Sequence, residues 1–337
     1  MDTLSLDPAG SAALQHPATP DAPTQGFARD LHAALGRAPH SISPKYFYDA
    51  QGSRLFEAIC ELPEYYPTRT EIALLERHGR EIARTLGPQV QLVEYGAGAL
   101  RKVRLLLQHL QDLQSFVPVD ISGEHLLQAV QLLRHEMPRL RVQPVVADFT
   151  APHELPALPP GARRVGFFPG SSLGNFLPHE ALGFLRLCAQ ELRGGGLLIG
   201  VDLVKDPAVL HAAYNDRAGV TAQFNLNLLT RARRELGLQV QPELFAHSAF
   251  YNAPQRRIEM HLQSLRDQSL VLQGRHYRFA RGQCLHTEHS HKFSPEGFEE
   301  LARRAGLQPR ASWIDARQWF ALYWLEALPA AAPARLH

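Results

Sequence analysis

The sequence predicts an α/β fold: a doubly wound, mostly parallel sheet joined to a second, smaller lobe. Three observations carry this expectation. Between Val90 and Val201, short apolar runs alternate with segments of helical periodicity. Each run is mostly apolar, the pattern of strands covered on both faces. Residues 203–289 then break the rhythm before it resumes near Ser294, as an insertion would.

Taken in order, residues 1–25 are rich in Pro, Ala, Thr and Ser and read as a disordered tail, and 330–337 look similar. Residues 26–77 read as a helical part of the second lobe, interrupted by the Pro/Tyr-rich stretch Leu62–Thr68. The wound domain is expected over 78–202 plus 290–330. Its strands are Val90–Tyr95, Phe116–Val119, Arg141–Ala147, Val165–Phe168 and Leu197–Val201. Its helices are Leu100–Leu113, Glu124–Met137 and His179–Leu192, the last stopped by Gly194, Gly195 and Gly196. The inserted lobe, 203–289, carries a helix around Pro207–Thr230 and strands such as Arg257–Leu262 and His276–Phe279. Ser294 caps a further helix with Pro295 at its first position, and Gly306 stops it. Strands near Arg310–Asp315 and Phe320–Leu325 finish the sheet. Ligands of such sheets sit at the carboxyl ends of the strands, here between the two lobes.

Composition narrows the function. With 35 basic and 33 acidic residues the net charge is only +2, so no strongly basic face and no nucleic-acid partner is expected. No run of about 18 apolar residues exists, so no membrane span is expected. Cys60, Cys188 and Cys284 are odd in number and far apart, which suggests no disulfide framework and a cytoplasmic protein. Of the 17 histidines only His286, His289 and His291 cluster, without zinc-site spacing, so no metal is expected.

The most informative local signal is Glu94-Tyr95-Gly96-Ala97-Gly98, directly after the first strand. Glycine there lets the backbone turn sharply and approach a ligand closely. Arg101 stands where a dinucleotide loop wants a third glycine, which disfavours a nicotinamide enzyme. Asp120 ends the second strand, where an acid accepts from ribose hydroxyls. Asp148 and Phe149 end the third, where a carboxylate can meet an adenine amino group while a ring packs on the base. Glycine loop, ribose acid and adenine acid at three successive strand ends form the layout of Rossmann-like class I methyltransferases using S-adenosyl-L-methionine (adenosylmethionine).

Five segments add a closer likeness. Pro44-Lys45-Tyr46-Phe47-Tyr48-Asp49, Leu62-Pro63-Glu64-Tyr65-Tyr66-Pro67-Thr68-Arg69-Thr70-Glu71 and Asp202-Leu203-Val204-Lys205-Asp206 are three of them. Gly219-Val220-Thr221 with Phe224-Asn225, and Arg257-Ile258-Glu259-Met260, are the others. Over about residues 27–326 the chain resembles the histidine Nα-methyltransferases of ergothioneine biosynthesis. The resemblance implies three methylations of the α-amine of L-histidine, giving the betaine hercynine. It puts cofactor contacts on Gly96, Lys102, Asp120, Asp148 and Phe149, with Gly98 in the same loop. It puts histidine contacts on Tyr65, Asn175, Tyr214, Glu288 and Ser290, with Tyr48 close by, and makes Tyr48 and Asn175 the catalytic pair. A small-molecule substrate and a monomer are expected.

The chemistry of these residue types agrees. A substrate carboxylate next to an amine that must lose its proton wants uncharged donors, such as the Asn175 amide and the Tyr214 hydroxyl. An imidazole wants a partner at each nitrogen, and Glu288 and Ser290 lie on one face if that stretch is extended. Tyrosine faces tolerate a fixed cationic product. Two alternatives stay open: an N-methyltransferase for another aromatic amino acid such as tryptophan, and a non-catalytic adenosylmethionine-binding regulator.

Overall fold

The computed structural model describes residues 22–151 and 153–328. Most of the expected tail 1–25, and all of 330–337, lie outside the described residues. Residues 22–25 open a helix instead.

The chain begins with α1 (Ala22–Leu35), the short strand β1 (His40–Ser41), α2 (Ala50–Glu61) and the long α3 (Tyr66–Leu86). The wound region follows: β2 (Val90–Tyr95), α4 (Arg101–Leu107), β3 (Leu113–Asp120), α5 (Gly123–Glu136), β4 (Val145–Val146), β5 (Arg163–Phe168), α6 (Pro178–Glu191) and β6 (Gly196–Asp202). The insertion holds α7 (Pro207–Tyr214), α8 (Val220–Leu236), β7 (Phe245–Asn252), β8 (Arg257–Ser264), β9 (Gln268–Leu272), β10 (Arg275–Phe279) and β11 (Cys284–His291). The chain ends in α9 (Pro295–Arg304), β12 (Leu307–Ile314) and β13 (Phe320–Ala327).

The large sheet has the order β12-β13-β6-β5-β2-β3-β4. It is parallel from β6 to β4, with β13 and β12 added antiparallel. Chain order reverses between β2 and β5, so the glycine loop after β2 opens at the switch point where such sheets bind ligands. Side chains from β2, β5, β6 and β13 feed apolar cores on both faces of the sheet. That is why the strands read as mostly apolar runs.

A second sheet, β1-β11-β8-β7, and the hairpin β9–β10 build the other lobe. Its core joins Phe27, Phe47, Tyr66, Phe224 and Ile258, from the N-terminal segment and from the insertion. Asp49 ties the two together. It caps α2 by accepting from Gly52 N–H (2.7 Å) and accepts from Asn227 (2.9 Å) and Arg234 (2.6 Å) of α8.

Several boundaries move. The strand expected over Arg141–Ala147 pairs regularly only at Val145–Val146, because Pro144 has no N–H for the ladder. The helix expected over Leu100–Leu113 ends at Leu107, and Leu113 opens β3. The helix expected around Pro207–Thr230 is two, since Asp216 accepts from the Val220 and Thr221 N–H groups and starts α8 afresh. Helix α3 runs through the boundary drawn at residue 77, and β11 through the one drawn at 289.

Candidate active site

Two cavities with shared walls lie between the lobes, about 1360 Å³ and about 50 Å³. Gly96, Gly98, Lys102, Asp120, Asp148 and Phe149 all line the larger one. Tyr214 and Ser290 line the smaller, and Tyr48, Tyr65, Asn175 and Glu288 line both. Every residue singled out in the sequence for cofactor, substrate or catalysis thus lines one or both of these adjacent cavities.

The cofactor side is built at strand ends. Gly96 has φ +68°, a left-handed conformation that favours glycine, and it stands against the Phe149 ring. Asp120 braces the loop: its Oδ2 accepts from Gly98 N–H (3.0 Å) and its Oδ1 from Ser122 N–H (2.8 Å). Asp148 accepts from the Thr150 backbone (3.0 Å) and from Lys45 across the cavity (3.3 Å). Burial raises its carboxyl pKa, but bonds from Thr150 and the Lys45 charge outweigh this and hold it low. Lys102 pairs with the fully buried Glu71 at 2.6 Å, and Glu71 also accepts from Gly170 N–H.

Glu94 was missed as a site residue. It lines the larger cavity, yet its Oε2 is buried without a hydrogen-bond partner. Burial pushes its carboxyl well above the usual range, although Lys102 pulls the other way. An unpartnered carboxyl beside the glycine loop, with the acids Asp120 and Asp148 further along the same wall, fits a cofactor carrying an amino group and hydroxyls. The glutamate is the penultimate residue of β2, in a mostly apolar strand, so only its place before the glycines could have flagged it.

On the substrate side an aromatic cluster fixes the tyrosines. Tyr48 packs on Phe56 and Phe224 with centroids 5.7 and 5.8 Å away, and Tyr65 meets Tyr214 at 6.5 Å. Burial, with Glu288 among the further causes, raises the pKa of both Tyr48 and Tyr65. They stay phenols at neutral pH. Asn175 ends a 3₁₀ turn, Ser172–Asn175, lying directly on β11. A Cβ on Gly174 would come within 2.8 Å of the His291 carbonyl, so glycine permits that approach. Glu288 and Ser290 are extended, as expected, and reach the same small cavity. A bulge between His286 and Glu288 sets their phase. Burial pushes Glu288 up to about 7, against the opposing pull of Lys292.

Lys292 is the other residue the sequence hid, because nothing local marks a lysine beside a row of histidines as buried. It is 3% exposed. Its ammonium donates to Ser290 Oγ (2.8 Å) and Tyr214 Oη (3.4 Å) and pairs with Asp202 (2.8 Å). Asp202 also accepts from Lys205 (2.5 Å) and from the Tyr66 hydroxyl (2.7 Å). Burial works against the Lys292 charge, and Asp202 more than offsets that, so its pKa is raised. A fixed cation therefore stands behind the Tyr214 hydroxyl, where a substrate carboxylate would gain from it.

Comparison with known proteins agrees with this geometry. Residues 27–327 match the family described as histidine-specific methyltransferases, SAM-dependent. A protein of Mycolicibacterium smegmatis named histidine N-alpha-methyltransferase is 40% identical, over 90% of this chain and 95% of its own length. One of the same name from Mycobacterium tuberculosis is 38% identical over the same shares. Ergothioneine biosynthesis protein 1 of Neurospora crassa is 29% identical over 83% of this chain and 32% of its own. With a glycine loop at the switch point, acids at the next two strand ends and a match over nearly the whole described length, the chain belongs to the adenosylmethionine-dependent, histidine-specific methyltransferases.

Proposed function

We propose that the protein methylates the α-amine of L-histidine three times, forming hercynine, the first step of ergothioneine biosynthesis. The observation that carries this reading is the shared wall. Tyr48, Tyr65, Asn175 and Glu288 line both the large cavity and the small one next to it. An amine held at their junction faces the cofactor side.

The cofactor supplies a methyl group on a sulfonium. The amine lone pair forms the C–N bond as the C–S bond breaks, and the electron pair stays on sulfur. The protein's work is to hold a neutral amine about 3 Å from the methyl carbon and in line with the bond that breaks. Asn175 and the Tyr214 hydroxyl, backed by Lys292, take the carboxylate. Glu288 accepts from one imidazole nitrogen, and Ser290, whose oxygen already accepts from Lys292, keeps its O–H to donate to the other. Because Tyr48 and Tyr65 remain phenols, they serve as donors and as aromatic faces for the growing cation.

Mass spectrometry of purified protein with adenosylmethionine and histidine is expected to show mono-, di- and trimethylated products, all on the α-nitrogen. A ring-methylated product, or turnover of tryptophan above histidine, would show the reading to be wrong.

Asp120→Ala removes an acceptor for ribose hydroxyls and also frees the Gly98 N–H it holds. Calorimetry is expected to show adenosylmethionine binding weakened by about 1.5–3 kcal/mol, the range for hydrogen bonds to charged groups. Unchanged affinity in a folded variant would remove Asp120 from the cofactor site.

A further inference from the structure

We infer that β8 and β11 carry a binding site for a borderline divalent cation, Zn²⁺ first, with Glu259, His261 and His286 as ligands. The strand register creates it. His286 lies directly opposite His261, and His289 opposite Glu259. The bulge after His286 brings that residue and His289 into one row, with ring centroids running His261–His286 at 5.0 Å, His286–His289 at 5.5 Å and His289–His291 at 5.1 Å. One donor atom from each of Glu259, His261 and His286 lies within 4.8 Å of the others. A tetrahedral zinc at about 2.0–2.1 Å from its ligands spaces them roughly 3.3 Å apart, so modest rotation of the rings closes the site.

The polar groups around it argue for a ligand. Among the described residues, nine buried side-chain nitrogens and oxygens have no hydrogen-bond partner, and four are ring nitrogens of this row. They belong to His261, His286, His289 and His291. Buried polar atoms are almost always partnered, so such a concentration asks for an occupant. The supporting contacts suit a metal. Ser41 Oγ sits 3.0 Å from His286 Nδ1 and leaves Nε2 open. Arg257 (2.8 Å) and Asn252 (2.9 Å) donate to Glu259 Oε1, which orients the carboxylate and leaves Oε2 turned to His261 at 3.7 Å. Such second partners are what fixes metal-ligating side chains elsewhere. Two imidazoles with one carboxylate are a zinc donor set, the fourth position falling to water. His286 and His289 also line the large cavity, so the ion sits in its wall.

The test uses the full chain, stripped with chelator and free of histidine, which would itself bind zinc. Calorimetric titration with ZnCl₂ is expected to show one site in the micromolar range or tighter. Co²⁺ in its place is expected to give the visible bands of a four-coordinate ion. His286→Gln and Glu259→Gln are each expected to weaken Zn²⁺ about tenfold or more, as loss of a ligand or its support does. His276→Gln, on the exposed β10 outside the row, leaves it unchanged. Adenosylmethionine affinity reports that the variants are folded. Zinc-edge absorption on the unaltered protein gives a reading independent of any variant, namely two imidazoles with oxygen and no sulfur. Absence of stoichiometric Zn²⁺ binding, wild-type affinity in both variants, or a sulfur ligand overturns the assignment.

Discussion

Asp202→Ala is expected to lower the stability of the fold by about 3–5 kcal/mol, the cost of removing one partner from a buried ion pair. Asp202 is 1% exposed and accepts from Lys205, Lys292 and the Tyr66 hydroxyl at once. Without it two ammonium groups face each other in a site that excludes water. Burial already strains the Lys205 charge, holding that amine down to about 8 even with Asp202 in place. The carboxylate itself is held low: burial raises its pKa, but Lys292 and Lys205 outweigh that. Its contribution is therefore fully present above the unfolded carboxylate value, near 4, and fades as pH falls through the depressed folded value. Denaturant midpoints at pH 7 for wild type, Asp202→Asn and Asp202→Ala measure this. Asn keeps the shape and some of the hydrogen bonding, so it is expected to fall between the other two. Equal midpoints for wild type and Asp202→Ala would mean that the network holds nothing together. Because Lys292 reaches Ser290 and Tyr214, histidine affinity should fall with Asp202→Asn before adenosylmethionine affinity does.

That network shows where sequence reading stops. The wound sheet was legible because its strands are buried on both faces and so write mostly apolar runs. That Gly96, Asp120 and Asp148 line one cavity was legible because they sit at or just past the ends of those runs, and a strand end is a position that sequence can locate. The inserted lobe wrote a weaker signal. Its strands alternate apolar and polar, and β7 was not anticipated at all, its pattern being interrupted by His247 and Ser248. Lys292 and Asp202 lie far apart in the chain, and nothing local says that a lysine beside a row of histidines will be buried. Its partner arrives only when Phe293 N–H bonds the Asp202 carbonyl and brings the end of β6 against the chain after β11. The facing of Glu259 and His261 with His286 is likewise a matter of register, which a single strand does not encode.

Glu288→Gln with Ser290→Ala is expected to lower kcat/KM for histidine a hundredfold or more while adenosylmethionine binds as before. Each hydrogen bond to a charged group is worth about 1.5–3 kcal/mol, and a site built on polar partners penalises a ligand that leaves them unmatched. Ser290→Trp would not be a clean alternative. Ser290 is 4% exposed, so a large ring would overpack the small cavity. The two side chains of the conservative pair keep nearly the native volume, and the loss then reports recognition rather than collapse. Glu288 adds a signature in pH. Burial places its carboxyl at about 7, so in the free protein it is roughly a tenth ionised at pH 6 and mostly ionised at pH 8. A protonated Glu288 is close in shape and charge to glutamine. The single variant Glu288→Gln should therefore lie near wild type toward pH 6 and fall progressively behind it above pH 7. Taking the ratio of the two kcat/KM profiles cancels the ionisation of the substrate's own amine and imidazole, which both enzymes meet alike. A ratio flat from pH 6 to pH 8.5 would mean that the Glu288 charge plays no part in reading the imidazole. A double variant that still prefers histidine to tryptophan by the original ratio would place that reading elsewhere in the cavity wall.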